Sequence, residues 1–565
     1  MQIQEYFRQA RDLIATQQFD ELRDLQLDKP EAFNWVEQVF FDLNVRSFAD
    51  QQALIWRYGE QEKRYSFQQM YELSNQFLNL MRAHGVVQGD RIYSLLPLVP
   101  ANWASFLATI KGGFVLMPTA TNLNARDLIY RFDSLFPEVF ITDVHNAPKI
   151  DEAEKAYGKV IKLKICVGGR REGWLSYEDL EGQAKEAVAA RTKADDPVLY
   201  FFTSGTTGLP KIVVHTHFTY PFGHLSTASW LACRPGDVHY NISSPGWAKF
   251  AWSSFFAPWN MGACIFANQV DKFIPAEQLA AMQTYGVTSF CGSPTVLRML
   301  IQEDIAAYDL KLRTSCAAGE PLNPDVIQKW KSATGVEVRD GYGQTETTAL
   351  VGNLLGQNVK PGSMGHSTFL YDVVICDEEG QEVPALEEGI ICVKTKSGLP
   401  NGLFIEYLND KERTAASFKN GLYYTGDKAY RDEDGNIWFV GRSDDVIKAS
   451  AYRIGPFEVE SILIEHEAVV ESAVVASPHE MRGYAVKAFV ILKQDVQPSQ
   501  KLAEELFAFS EQNLAKYKVP RIIEFPASLP KTISGKIRRI ELRAKEAQNK
   551  MDQIKNEHEY FHAKY

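Results

Sequence analysis

Residues 198–217 read VLYFFTSGTTGLPKIVVHTH. Two apolar, β-branched and aromatic runs, VLYFF and KIVVH, flank a segment in which Thr203, Ser204, Gly205, Thr206, Thr207, Gly208 and Lys211 crowd together. The flanks predict two strands joined by a loop. Glycines there let backbone N–H groups approach an anion closely, and the hydroxyls with one ammonium complete a phosphate cradle. A polar hairpin turn is the plain alternative, but turn chemistry alone does not ask for so dense a set. The spacing is not G-x-x-x-x-G-K-[ST], and a strand follows where that motif needs a helix.

On both sides of this loop, short apolar runs alternate with helical patterns. RIYSLLPL (91–98), GGFVLMP (112–118) and PEVFITD (137–143) predict buried strands, with helices over 65–85 and 101–113 between them. HYNIS, ACIFA, SFCG and RTSCAAG continue the alternation after 238, so mostly parallel sheets covered on both faces are expected. From about 355 strand–turn–strand units such as DVVICDEEGQEVP and EDGNIWFVG predict a smaller β region. After Asp444 a third pattern begins, with a helix from Pro456, strands AVVESAVVAS and YAVKAFVILK, a helix over 501–517 and strand RIIEF. The mixed segment GRSDDVIKASAYRIGP (441–456) spans that predicted boundary. The charged last segment predicts a surface helix or a frayed tail.

A chain of 565 residues exceeds one hydrophobic core. Its 60 basic and 71 acidic residues leave a net charge of −11, which disfavours nucleic acid and anionic membranes, so a phosphate ligand needs a local site. The seven cysteines are scattered without a C-x-x-C pair, which argues against a disulfide framework or structural zinc. No apolar run is long enough to span a membrane, and a cytoplasmic location is expected.

Three further segments carry chemistry. RDGYGQTET (339–347) predicts strand, tight loop and helix start. Thr345 and Glu346 there suit a hydrated Mg²⁺, and an N-cap at Thr345 or Thr347 fits equally well. In YYTGDKAYRDEDGNIWFVGR (423–442), Asp427 can accept two ribose hydroxyls and Arg442 follows a second glycine. PKTISGKIRR (530–539) places Lys536 after a flexible Ser-Gly, suited to reaching into a cleft, where a solvated charge run is the default. His215 and His217 share a strand face without a carboxylate nearby, so packing is expected rather than metal binding. The aromatic run GWAKFAWSSFFAPW (246–259) predicts core and the wall of an apolar pocket. A nucleotide cradle, a carboxylate for Mg²⁺, a ribose acceptor and a lysine fit nucleotidyl transfer, in which positioning and charge neutralisation drive the displacement.

These segments, in this order over about 50–542, resemble the adenylate-forming superfamily, and RIGPFEVESILIEH with VVESAVVASP and RGYAVKAFVIL is most similar to its medium-chain acyl-CoA synthetase branch. The resemblance implies an α/β fold. Its large adenylating domain, 1–443, holds two doubly wound mostly parallel sheets and a small β-barrel-like subdomain at about 355–443, and a mobile small α+β lid spans 444–565. It implies an ATP-dependent ligase that forms acyl-AMP and pyrophosphate from a carboxylic acid, then transfers the acyl group to CoA with release of AMP. By the same resemblance the 203–211 loop holds the β- and γ-phosphates, Glu346 binds Mg²⁺, and Gly319, Glu320 and Pro321 with Asp340, Gly341, Tyr342, Gly343, Gln344 and Thr345 frame the adenosine and α-phosphate. Asp427 takes the ribose, with Arg442 close by. Lys536 bridges acyl carboxylate and α-phosphate, and Asp444 is the hinge. Ser450, Ala451, Tyr452 and Arg453, with Arg482, Tyr517, Lys518 and Val519, face CoA. Lys536, Glu346, Lys211 and Thr345 are the expected catalytic set.

Acetate-specific relatives carry Trp where this chain has Gly343. With Trp247 as pocket wall, that glycine is expected to open room for a medium-chain, branched or aromatic acid, each buried methylene contributing ~0.8 kcal/mol. Departures are Ser244 for a common Asp, Ile390 and Tyr484 for common Glu, and Ala451 for the usual Gly, whose methyl narrows the expected CoA channel. Expected partners are the acid, ATP and CoA, without nucleic acid or membrane span, with a homodimer left open. Two alternatives stay open here: transfer of acyl-AMP to a carrier-protein thiol or other acceptor, and a non-catalytic nucleotide sensor.

Overall fold

Ser66 accepts a hydrogen bond from the backbone N–H of Gln69 while the Gln69 side chain returns to the Ser66 N–H, a reciprocal cap that starts the helix Phe67–Ala83. The next helix, Pro100–Gly112, opens on proline and stops on Gly113 at φ 68°. Apolar runs too short for helices form the strands between such elements. The computed structural model describes residues 1–203, 211–442, 444–449, 452–479, 483–531 and 536–563. It divides into two units, Met1–Val373 with Lys394–Gly421, and Val374–Val393 with Leu422–Tyr565. The boundary expected at 444 therefore lies inside the second unit, and the β-rich segment is divided between the two units.

Among the described residues the first unit contains two large sheets. In the eight-stranded one, Glu406–Tyr407 is the edge strand, antiparallel to Lys211–Thr216, which in turn runs antiparallel to Pro197–Thr203. From Pro197–Thr203 the sheet runs parallel through Val115–Pro118, Arg91–Leu95, Val139–Asp143, Leu163–Val167 and Leu175–Ser176. The nine-stranded sheet has a parallel centre of Gln52–Tyr58, Cys264–Gln269, Val238–Asn241, Ser289–Gly292, Thr314–Ala318 and Val338–Tyr342. Residues such as Tyr93 and Phe140 in one core, and Phe290 and Trp330 in the other, are fully buried. In α/β sheets ligands collect at the carboxyl ends of the strands, which here are Thr203, Gly292, Ala318 and Tyr342.

In the second unit a four-stranded sheet of Val469–His479, Gly483–Leu492, Ile522–Glu524 and Glu559–Phe561 packs with the helices Pro456–Glu465 and Gln500–Asn513. Ile447 and Ile454 join this core. The tail is not frayed. Helix Arg539–Met551 is followed by Glu559–Phe561, which pairs antiparallel with Ile522–Glu524. The physical reason is a buried charge. Lys487, 0% exposed, lies 2.7 Å from Glu524, 2.6 Å from Glu546 and 2.5 Å from Glu559. Burial works against its ammonium, but those carboxylates outweigh it and raise its pKa. Among the described residues no helix is long and apolar enough to cross a membrane.

Candidate active site

Thr203 and Lys211 are register partners across the two strands that flank the cradle loop. Ser204, Gly205, Thr206, Thr207 and Gly208 lie outside the described residues. Lys211 Nζ sits 3.4 Å from Tyr407 Oη and 4.7 Å over the Tyr407 ring. The same hydroxyl donates to Glu346 Oε1 at 2.8 Å. Tyr407 reaches both because its strand pairs with the Lys211 strand, Tyr407 opposite Val213. Burial, reinforced by the neighbouring carboxylate, pushes the tyrosine pKa well up and keeps it a donor. Two residues far apart in sequence thus meet on one hydroxyl.

Glu346 does not begin a helix, against expectation. Gln344 N–H donates to Thr347 Oγ1 at 2.8 Å, Thr347 N–H to the Gln344 carbonyl at 3.1 Å, and Leu350 N–H to the Tyr342 carbonyl at 2.9 Å. The chain therefore turns back into Val351–Gly352, antiparallel to Val338–Tyr342, and Thr347 closes a turn rather than capping a helix. The Phe404 N–H holds the Glu346 carbonyl at 2.8 Å, and His215 Nε2 lies 2.7 Å from the Thr345 carbonyl. His215 and His217 are fully buried, and burial depresses both to about 3, so they remain neutral packing residues.

Asp340 is buried, and that burial raises its carboxyl to about 8 against hydrogen bonding from the Gly341 N–H and the charge of Lys249. A raised carboxyl favours folding at low pH. Its contribution is complete below the free value of 3.8 and is lost as pH rises towards about 8. Asp340→Asn is therefore expected to raise Tm more at the upper end of that window than at the lower. Thermal unfolding across the window checks this, and a pH-independent difference contradicts it. Gly319, Glu320 and Pro321 follow the strand Thr314–Ala318, where Glu320 is engaged by Thr295 Oγ1 at 2.7 Å and Arg298 at 3.2 Å.

A Cβ at Gly343 would stand 2.3 Å from the Thr348 carbonyl oxygen and 2.5 Å from the Trp252 ring, so only glycine fits between them. Trp247, the expected wall, is half-buried beside Gly246, whose missing Cβ lets the loop lie on the backbone of Ala120.

In the second unit Asp427 and Arg442 are register partners, with Arg442 Nε 4.0 Å from Asp427 and 4.0 Å from Asp444. Asp444 also faces Arg543 at 3.8 Å. Ser450, Ala451 and Arg482 lie outside the described residues, while Tyr452 and Arg453 are described by backbone, in the strand Tyr452–Ile454. Lys518 pairs with Glu458 at 2.5 Å, Val519 is in the core and Tyr517 is exposed. Lys536 is exposed at the exit of a loop whose ends are pinned by the Lys531–Ile537 bridge and by Arg538 N–H on the Pro530 carbonyl at 2.8 Å.

Sequence reading missed Tyr407 and His215 as a support of the Thr345 carbonyl. Tyr407 lies in FIEYLND, which has no motif of its own. The aromatic run did signal Trp252, as pocket wall.

The sequence matches the AMP-binding enzyme family over residues 41–404 and the AMP-binding enzyme C-terminal domain over 458–536. It is 45% identical to 4-hydroxybutyrate–CoA ligase 1 of Metallosphaera sedula over 99% of both chains. It is 41% identical to the mitochondrial acyl-coenzyme A synthetase ACSM3 of Pongo abelii, covering 93% of this chain and 91% of that one. The crystal structure of the anthranilate CoA ligase AuaEII in complex with anthranoyl-AMP superposes with a TM-score of 0.84 at 29% identity, covering 92% of this chain and 99% of that one. With the sheets, the cradle hairpin and the Lys211–Tyr407–Glu346 cluster in place, the chain belongs to the AMP-binding enzyme family, among its acyl-CoA synthetases.

Proposed function

We propose that the protein joins a carboxylic acid larger than acetate to CoA through acyl-AMP, releasing pyrophosphate in the first step and AMP in the second. One observation carries this reading: Tyr407 holds a cation, Lys211, and a carboxylate, Glu346, side by side at the mouth of the cradle hairpin. Lys211 and the 203–208 loop would take the β- and γ-phosphates. Glu346 suits Mg²⁺, because it offers hard oxygens in a largely buried, hydrogen-bonded setting and leaves the remaining ligands to water and phosphate. Bound there, the ion would neutralise polyphosphate charge as pyrophosphate leaves. Thr345 and residues 319–321 and 340–344 would frame adenosine and α-phosphate, Asp427 would accept the ribose hydroxyls beside Arg442, and Lys536 would bridge carboxylate and α-phosphate. For the second step the lid from Asp444 onward would turn residues 450–453, Arg482 and 517–519 towards CoA. Relatives named for 4-hydroxybutyrate and anthranilate support an acid larger than acetate.

Two assays test this with a panel from acetate through medium-chain to aromatic acids. Acid-dependent ATP–pyrophosphate exchange reads the first step, and AMP release stimulated by free CoA reads the second. Both signals are expected, with kcat/KM lowest for acetate. Exchange without CoA stimulation would favour delivery to a carrier thiol. Absence of both would favour a nucleotide sensor, and a maximum at acetate would defeat the size assignment.

A further inference from the structure

Glu346 lies in a turn between the strands Val338–Tyr342 and Val351–Gly352, so its own element does not fix where its carboxylate points. The segment 404–408 does. The Phe404 N–H donates to the Glu346 main-chain carbonyl at 2.8 Å, and Tyr407 Oη donates to the side-chain Oε1 at 2.8 Å. The same segment is registered on the Lys211 strand. Ile405 N–H donates to the Val214 carbonyl at 3.0 Å, and Leu408 N–H to the Ile212 carbonyl at 2.9 Å. One short strap therefore grips Glu346 by backbone and by carboxylate, and sets it against the strand that begins at Lys211.

Tyr407 is itself held firmly. It is 3% exposed, and its ring lies 4.7 Å from that of Phe404. Its N–H donates to Thr414 Oγ1 at 3.0 Å, and its carbonyl accepts from the Asp410 N–H at 3.0 Å. Thr414 belongs to the helix Lys411–Ser417, whose start Asp410 caps by accepting from the Arg413 N–H at 3.0 Å. A donor fixed in this way restricts the carboxylate it bonds. A carboxylate offers about four lone-pair sites, so one donor orients it without exhausting it. The ring and the hydroxyl have separable tasks, because the Lys211 ammonium lies over the ring at 4.7 Å while the hydroxyl serves Glu346.

We infer that Tyr407 is a positioning residue for the metal carboxylate: its hydroxyl orients Glu346 so that a divalent cation carrying polyphosphate is held tightly. This rests on the ligase reading above, which gives Glu346 to Mg²⁺. Tyr407 acts through Glu346 and not on the reacting atoms. Groups that orient a metal ligand set affinity nearly as strongly as the ligand itself.

The test uses Tyr407→Phe in the full-length protein, which keeps the ring under Lys211 and removes only the donor. Calorimetry measures binding of Mg·ATP and, separately, of AMP, which has no β- or γ-phosphate. The affinity for Mg·ATP is expected to fall about tenfold to a hundredfold, the usual cost of losing such a partner, while AMP binds as it does to wild type. In a Glu346→Gln background the same substitution should add little, because the two residues act as one unit. Excess Mg²⁺ should recover ATP–pyrophosphate exchange in Tyr407→Phe. Four results overturn the inference: unchanged Mg·ATP affinity, equal weakening of AMP and Mg·ATP, full additivity with Glu346→Gln, or a loss of exchange that Mg²⁺ does not recover. Binding is read without turnover. Failure of the ligase reading, seen as neither exchange nor AMP release with any acid in wild type, is thereby separated from failure of this one.

Discussion

Lys536→Ala is expected to lower acid-dependent ATP–pyrophosphate exchange by about 10²–10³, the usual effect of removing one preorganised donor from developing charge. Thioester formation from supplied acyl-AMP should survive largely intact. The asymmetry follows from the role proposed for this lysine. In that role it would bridge the acyl carboxylate and α-phosphate while their bond forms, and would have no such task once acyl-AMP exists. The local structure suits a reaching side chain. Ile537 packs beside Ala473, Val475, Phe489, Leu529 and Leu542, and its bridge to Lys531 pins the loop, so Lys536 is exposed beside a fixed anchor. Parallel assays of the two half-reactions check this. Equal loss in both would contradict the two-conformation mechanism.

Lys487→Met is expected to destabilise the protein by about 3–5 kcal/mol, because removing one partner of a buried charge cluster strands the others. Glu524, Glu546 and Glu559 would be left facing one another with the part-exposed Lys550, 3.9 Å from Glu546, as the nearby cation, beside neutral partners such as Ser477 on Glu546 at 2.7 Å and Asn556 on Glu524 at 2.9 Å. The sign with pH is fixed. The loss should shrink on acidification, as protonation relieves the stranded carboxylates. Denaturant midpoints at several pH values measure the effect, and hydrogen exchange in Glu559–Phe561 should rise with it. An unchanged midpoint would show that the tail is held by strand pairing alone.

Much of the architecture was legible because local chemistry and global fold agree. Ser66 with Gln69 announces a capped helix, Pro456 a helix start, and the VLYFF and KIVVH runs a strand pair around a polar loop. The errors arose where a non-local partner overrode a local pattern. The residues around Glu346 have good N-cap chemistry, yet pairing of Tyr342 with Val351 turns the chain into a strand. The charged tail reads as a surface helix or a frayed end; the helix Arg539–Met551 is there, and what the local pattern does not record is that Glu546 and Glu559 are answered by a lysine far away in sequence.

The sequence by itself determined the class of this protein: parallel sheets with an added α+β region, and a loop rich in glycine and hydroxyls, a glutamate, an aspartate and a lysine in the family's order. Those signals are local, carried by residue type and spacing, so they survive without coordinates. Only the tertiary structure decided that Tyr407 joins Lys211 to Glu346 and that Trp252 lies against Gly343. Each depends on contacts between segments remote in the chain, which close packing creates and no periodicity records.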